Sequence, residues 1–150
     1  MKYAYLIKLT VFSREGEDAE SILGSLLKFF PFNLEENKIP VKKTSAEGFN
    51  KKEIKIFEVA LAKQSLTNEF LESLAGNLEE IQKGALLRQS ESKLDNNLDF
   101  FIRFDKDSWI KEKKLLFTDS GDCFHLKISI AAFPRKREVA LKVVNDLFGK

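Results

Sequence analysis

Hydrophobic and polar side chains alternate in several short segments of the chain, which is the pattern of strands that bury one face. Residues 3–12 form the first of these segments, and the side chains that share its predicted buried face are Tyr3, Tyr5, Ile7, Leu9 and Val11. Residues 39–63 contain two β-rich runs around Gly48 and Asn50, which predicts two antiparallel strands joined by a short loop. Further strands are predicted at 98–104, 114–118 and 124–132.

Apolar positions spaced three or four residues apart predict amphipathic helices between these strands. The first helix lies within 19–30 and stops at Pro31, because proline cannot continue a helix. Thr67 can cap the second helix, whose predicted buried positions are Phe70, Leu71, Leu74, Leu78 and Ile81. Gly76 and Gly84 are the two positions at which this helix could break into two pieces. A short capped helix is predicted at 105–112, and the last helix begins after Pro134.

The order of these elements is βαββα followed by β, a short α, and ββα. This order predicts an α+β fold with an antiparallel-rich sheet and amphipathic helices on one of its faces. A length of 150 residues with 43% hydrophobic side chains suits one domain with a substantial core. Because no linker rich in proline, glycine or serine divides the two halves, we expect residues 1–150 to form a single domain.

Charge is balanced over the whole chain but clustered locally. The 25 basic and 23 acidic residues leave a formal charge of +2, so any basic surface must come from local runs. Such runs stand at 42–44, 50–52, 103–106, 111–114 and 135–137. A single cysteine excludes an internal disulfide, and no apolar run approaches the roughly 20 residues that span a membrane. We therefore expect a cytoplasmic protein.

Residues 118–126, with the sequence TDSGDCFHL, gather side chains that can bind metals or move protons. Asp119, Asp122, Cys123 and His125 match no familiar ligand spacing, although a stable metal site needs three or four ligands. One histidine cannot supply a paired acid and base, and the chain has no nucleotide-binding or nucleophile-elbow motif. We expect no metal, no cofactor and no catalysis, and interpret the segment as a tight turn in which Gly121 adopts positive φ.

Three blocks of the sequence share a pattern with one known family. The first block contains Glu47, Gly48 and Asn50. The second contains Arg103, Asp105, Lys106 and Trp109. The third contains Gly121, Asp122, Phe133, Pro134 and Lys136. Together the blocks resemble the archaeal RNA-binding family described as predicted exosome subunits, although Phe49 stands where that family usually has histidine.

The resemblance implies one RNA-binding-like domain over 1–150, with a fold similar to that of the large-subunit ribosomal protein that holds 5S ribosomal RNA. It implies a non-catalytic protein that binds structured RNA, ribosomal RNA included, or that takes part in RNA processing with the exosome. One alternative is a docking module that binds other proteins of an RNA-processing or translational assembly. Another is a metal-dependent hydrolase that uses Asp119, Asp122 and His125. The oligomeric state is left open.

Basic side chains supply the predicted contacts with RNA phosphates, and those selected are Lys51, Lys52, Arg103, Lys106, Arg135, Lys136 and Arg137. The last three stand at the predicted start of a helix, where positive charge is unfavourable unless a phosphate compensates it. The loops of the family motif are expected to be formed by Glu47, Gly48, Asn50, Gly121 and Asp122. For base stacking, Phe101 beside Arg103 is the aromatic side chain that we expect to be exposed.

Overall fold

The chain forms an α+β fold, as its hydrophobic pattern predicts. A computed structural model describes residues 1–48 and 52–149. The strands are β1 Ala4–Ser13, β2 Lys42–Glu47, β3 Glu53–Leu61, β4 Asp99–Asp105 and β5 Cys123–Ile130. The helices are α1 Ala19–Leu27, α2 Gln64–Asn77, α3 Glu80–Arg88, α4 Ser90–Lys93, α5 Lys106–Glu112 and α6 Arg137–Phe148. The strands form one antiparallel sheet in the order β2-β3-β1-β5-β4.

Strand β2 lies at one edge of the sheet and exposes all six of its side chains. Its antiparallel register with β3 places Lys43 opposite Phe57 and Ser45 opposite Lys55. Directly opposed residues of an antiparallel pair project from the same face, and Phe57 is buried. Lys43, Ser45 and Lys55 therefore share the face of the hairpin on which Phe57 joins the core.

Strand β1 follows the predicted alternation over most of its length. Ile7, Leu9 and Val11 are buried, but Tyr5, which was predicted to share their face, is exposed and Ala4 is buried in its place. Tyr3, before the strand, is buried as well, so the predicted alternation is lost only where β1 begins. The exposed Tyr5 ring is covered by the ammonium group of Lys2, which lies 4.6 Å from the ring centre in a cation–π contact.

The strand predicted at 114–118 does not form. The segment makes one isolated bridge, from Phe117 to Phe104, and the centroids of these two rings are 5.7 Å apart. Lys113 precedes the segment in the left-handed conformation that ends α5. The apolar residues 115–117 are consecutive and do not alternate with polar ones, so they cannot line a single buried face as strand residues do.

The helix predicted to run from Thr67 to Ile81 is divided at Leu78, which is buried and has extended backbone. Glu79 is the N-cap of the next helix, α3, and its backbone N–H donates to Oε1 of Gln82 at 3.0 Å. Because the interruption changes the direction in which later residues point, Ile81 is 81% exposed although the sequence predicts it to be buried. The first part, α2, begins three residues before Thr67.

The chain folds into two compact units. The first unit consists of Met1–Ile7, Leu61–Ile102 and the chain from Lys127 onward. In it α6 packs against α2, α3 and α4, and the ring centroids of Phe100 and Phe148 are 6.2 Å apart. The described helices include none that is long and apolar enough to cross a membrane.

The second unit consists of Lys8–Ala60 and Arg103–Leu126. In it α1 packs against α5. The ring of Phe29 lies at the centre of an aromatic cluster, with centroids 5.7 Å, 4.2 Å and 5.0 Å from those of Phe104, Trp109 and Phe124 respectively. The expectation that residues 1–150 act as a single domain stays a prediction.

Candidate nucleic-acid interface

Lys106 opens helix α5 in the second unit, and it is only 4% exposed. Its Nζ donates to the carbonyl oxygen of Phe12 at 2.7 Å and to carboxylate oxygens of Glu17 and Asp122, each at 3.0 Å. These three acceptors occupy the three N–H donors of the ammonium group. The structure therefore corrects the predicted phosphate contact of Lys106, because a buried lysine with all its donors bonded has none left for a phosphate.

The neighbours of Lys106 in the same sequence block also hold the fold together. The carboxylate of Asp105 caps α5 by accepting from the hydroxyl and the backbone N–H of Ser108, and these two bonds lower the pKa of Asp105. The indole Nε1 of Trp109 donates to the carbonyl oxygen of Ser25 at 2.8 Å. This hydrogen bond of Trp109, a residue of the second family block, holds α5 against α1.

The turn at 118–122 is held by hydroxyl groups rather than by glycine. The backbone N–H of Ser120 donates to Oγ1 of Thr118, and that of Asp122 donates to Oγ of Ser120, both at 3.1 Å. Gly121 does not have positive φ, so the predicted conformational role of this glycine is wrong. The carboxylate of Asp122, already bonded to the buried lysine, also lies 3.9 Å from Nε of Arg14. The turn therefore places the Asp122 carboxylate beside two cationic side chains, those of Lys106 and Arg14.

Cys123 and His125 follow the turn as residues of β5. Cys123 is buried, and desolvation raises the pKa of its thiol, which keeps the sulfur protonated and makes it a poor nucleophile near neutral pH. His125 is half-buried. In the described parts of the chain, no three or more histidine, cysteine, aspartate or glutamate side chains are grouped so that they could hold a metal ion.

Arg103 is the exposed cation of β4. Its Nη1 donates to the carbonyl oxygen of Asp119 at 3.2 Å. A guanidinium group has five N–H donors, so this one bond leaves the group able to contact a phosphate. The phosphate contact predicted for Arg103 is compatible with this geometry and stays a prediction.

The predicted basic segment of the first unit, 135–137, divides into two anchored residues and one free residue. Arg135 donates through Nη2 to a backbone carbonyl of the loop between α4 and β4, at 2.9 Å. Arg137 donates through Nη1 to the carbonyl oxygen of Leu94 at 3.0 Å and through Nη2 to that of Glu91. Lys136 is exposed, and its ammonium group has no hydrogen-bond or ion-pair partner among the described residues.

Phe133 precedes this basic segment and is 94% exposed, more than the other large hydrophobic residues that reach the described surface. Phe101, which the sequence favoured for base stacking, is only half-exposed in β4. Phe101 alternates with Phe100 and Ile102, which are both fully buried. The more accessible aromatic face therefore belongs to Phe133 rather than to Phe101.

A cleft of about 370 Å³ lies in the second unit between the start of α1 and the β2–β3 hairpin. The residues that line it are Ala19, Glu20, Leu23, Lys43, Thr44, Ser45, Lys55 and Phe57. Lys43 and Lys55 are exposed, and neither has an ion-pair or hydrogen-bond partner among the described residues, Glu20 included. The cleft thus combines two lysines without an ion-pair partner in the described residues, the carboxylate of Glu20, two hydroxyl groups and an apolar floor.

The loop between β2 and β3 lies only partly within the described residues. Asn50 and Lys51 are outside them, so the predictions for these two residues stay as they are. The backbone N–H of Gly48 donates to the carbonyl oxygen of Lys52 at 2.7 Å, next to the paired strand residue Glu47. Lys52 is exposed. Gly48 does not need positive φ here, and a Cβ at its position would meet the Ile54 side chain at 2.5 Å.

Lys43, Lys55 and Phe133 are the candidate contacts that selection by sequence clusters did not choose. Lys43 belongs to the basic run at 42–44, but the run alone does not tell which lysine faces a cleft. The strand register supplies that information, because Lys43 pairs with a buried phenylalanine and Lys42 with Glu58. Lys55 and Phe57 are two residues apart in β3, so their side chains project from the same face. This spacing is the sequence signal that could have identified Lys55.

Comparisons with known proteins agree with this fold over nearly the whole chain. A family model described as RNA binding matches residues 6–130. RNA-binding protein PAB1135 from Pyrococcus abyssi is 28% identical over 144 residues, which cover 95% of this chain and 92% of that protein. Protein AF2318 from Archaeglobus fulgidus has a similar structure, with a TM-score of 0.84 and 24% identity over 96% of this chain and 99% of that one. Mth689, a DUF54 protein from Methanothermobacter thermautotrophicus, gives a TM-score of 0.78 at 25% identity, covering 97% and 98%.

Proposed function

Since the chain belongs to the family described as RNA binding, we propose that it is a non-catalytic RNA-binding protein that holds phosphates with unpaired basic side chains. The archaeal relative that is named an RNA-binding protein matches it over almost the full length of both chains. The observation that carries the proposal is the pair Lys43 and Lys55, which line one cleft without an acidic partner among the described residues.

The electrostatics of the cleft support binding of an anion. Two lysines that line one small cleft repel each other, and a phosphate between them would be attracted to both, which outweighs their mutual repulsion. Thr44 and Ser45 add hydroxyl groups, which commonly contact phosphate and sugar oxygens of nucleic acids. Such contacts fix the position of the backbone and carry no base preference, so the cleft suits RNA of varied sequence.

The remaining predicted contacts divide according to their freedom to reach a phosphate. Lys52, Arg103, Arg135 and Lys136 are exposed and remain proposed contacts, while Arg137 is half-buried and clamped to two carbonyl oxygens. Binding to ribosomal RNA, association with exosome proteins and a fold like that of the 5S-RNA-binding ribosomal protein stay as predictions from the resemblance. A role as a docking module is the alternative that failure of RNA binding would favour.

The first experiment is equilibrium binding of the purified protein to a labelled hairpin RNA and to a single-stranded RNA, at about 50 and 200 mM salt. We expect affinity for the RNA that binds to fall by at least tenfold between the two salt concentrations, because phosphate contacts release counterions. The labelled RNA should also stay intact after incubation with Mg²⁺ or Zn²⁺, as a non-catalytic protein requires.

Matched double variants test the cleft itself. Lys43→Ala with Lys55→Ala should weaken binding at least about tenfold, whereas Lys42→Ala with Lys142→Ala removes the same charge from exposed positions outside the cleft and should have a smaller effect. Equal losses in the two double variants would contradict the assignment of the cleft. Absence of RNA binding at both salt concentrations would contradict the proposed function as a whole.

A further inference from the structure

Resting on the proposed RNA binding, we propose that Phe133 stacks on an unpaired RNA base while Lys136 and Arg135 contact the adjacent phosphates. This proposal names the class of RNA that the first unit prefers, namely single strands and loops rather than continuous duplex. Bases in a duplex are stacked on each other and do not offer a free face to a protein ring.

The first observation is the exposure of Phe133. An aromatic side chain normally buries a large apolar surface, yet 94% of Phe133 is accessible to solvent. Its neighbour Ala132 is buried, and Ala131 is tied by its backbone N–H to the carbonyl oxygen of Tyr3 at 2.9 Å. The ring therefore projects from a part of the chain that is itself held in place.

The second observation is the anchoring of the residues that follow the ring. Arg135 and Arg137 are bonded to backbone carbonyl oxygens of the α4 region and the loop after it. The backbone N–H of Lys136 donates to the carbonyl oxygen of Pro134 at 2.8 Å. A segment that is fixed before binding loses little conformational entropy when a ligand docks, which favours affinity.

Charge decides between RNA and a protein as the occupant of this surface. Phe133 is followed within three residues by Arg135 and Lys136, both exposed, and no acidic residue lies between 133 and 137. A stacking ring next to cations that hold the backbone is the combination that sheet-surface and groove binders use for single-stranded nucleic acid. A patch built for apolar docking would be expected to include a wider apolar surface than one ring.

The test uses the full chain and a single-stranded RNA of about 12 nucleotides, compared with a duplex of the same sequence. Phe133→Ala should weaken binding to the single strand at least about fivefold and leave duplex binding unchanged, because stacking on one ring contributes that much per base. Phe133→Trp should restore single-strand affinity, and its indole fluorescence should be quenched when RNA binds. Phe133→Leu, which is apolar but cannot stack in the same way, should behave as the alanine variant does.

Ile81→Ala is the matched control, since Ile81 is an exposed apolar residue of the same unit with 81% exposure. It should bind both RNAs as the wild type does. Wild-type affinity in Phe133→Ala, or equal losses for single strand and duplex, would overturn the stacking proposal while leaving RNA binding intact. If the wild-type protein bound neither RNA, the proposed function would fail first and this inference with it.

Discussion

Segments 105–109 and 133–137 each place an aromatic residue near basic side chains, one lysine in the first and three cations in the second, but the structure uses them in opposite ways. In the first, Lys106 is buried against two carboxylates and Trp109 is packed on Phe29. In the second, Phe133 is exposed and the ammonium of Lys136 has no partner among the described residues. A basic and aromatic cluster is therefore not by itself a binding site.

The difference between the two segments comes from residues that are distant in the sequence. Lys106 meets Glu17, 89 positions away, and Asp122, 16 positions away, so its environment is built by three separate parts of the chain. Lys136 meets no such acid in the described residues. A lysine that lies near carboxylates forms ion pairs with them inside the protein. An exposed lysine without a nearby carboxylate keeps its charge available for a ligand.

The largest effect that this comparison predicts is on stability. Lys106→Met keeps much of the side-chain volume but leaves Glu17, Asp122 and the Phe12 carbonyl without their common donor. We expect a loss of about 3 kcal/mol in the free energy of unfolding, at the low end for a buried pair because both carboxylates keep some contact with solvent. For a chain of this size, that loss corresponds to a decrease in Tm of roughly 6–12 °C.

Lys136→Met is the control for Lys106→Met, since it makes the same substitution at a lysine that is exposed. Its free energy of unfolding should stay within about 0.5 kcal/mol of the wild type. Urea unfolding of both variants would distinguish the two lysines. If Lys106→Met unfolded at the same urea concentration as Lys136→Met, the buried ion cluster would not have the structural role assigned to it.

A smaller effect is expected at the cap of α5. Asp105→Ala should lose about 1 kcal/mol at neutral pH, because the first turn of the helix loses its acceptor. The folded-state pKa of Asp105 is lowered, so its contribution is complete above the ordinary value of 3.8 and is lost as the pH falls through the lower folded value. The stability difference between wild type and variant should therefore shrink only below pH 3.8.

Asp105→Asn sharpens this test of the cap. Asparagine caps helices about as well as aspartate but does not titrate, so this variant should keep most of the stability and lose the acid dependence. Unfolding by urea at pH 7 and at successive values down to about pH 2 would measure both properties. An unchanged difference between wild type and Asp105→Ala across that range would show that ionisation of Asp105 does not matter.

The fold could be predicted from the sequence wherever the spacing of apolar residues within a single strand or helix shows which of its faces is buried. The strand predicted at 124–132 and the helix predicted after Pro134 form as β5 and α6, and their buried residues include Phe124, Ile128, Val143 and Leu147. Local pattern failed where a break resets the period, as at Leu78 before Ile81, and where consecutive apolar residues lack alternation, as at 115–117. Both outcomes have a local signal in the sequence, because Gly76 shortly precedes the break and the three consecutive apolar residues lack the alternation of a strand.

The candidate interface was harder to predict than the fold, for a physical reason. Whether a cation is available depends on which acids the fold brings near it, and that requires the tertiary structure. The sequence therefore selected Lys106 together with Lys136, and it passed over Lys43 and Lys55, whose facing direction is set by the register of β2 and β3. The exposure of Phe133 likewise depends on whether another part of the fold packs against its ring.

The most direct test of the claim that unpaired cations bind RNA is the dependence of affinity on salt. The slope of log affinity against log salt on a single-stranded RNA should become less steep by about 2 when Lys43, Lys55 and Lys136 are all changed to alanine, since each lost phosphate contact removes about 0.7. An unchanged slope and affinity in this triple variant would contradict the account, because the RNA would then be held by other residues.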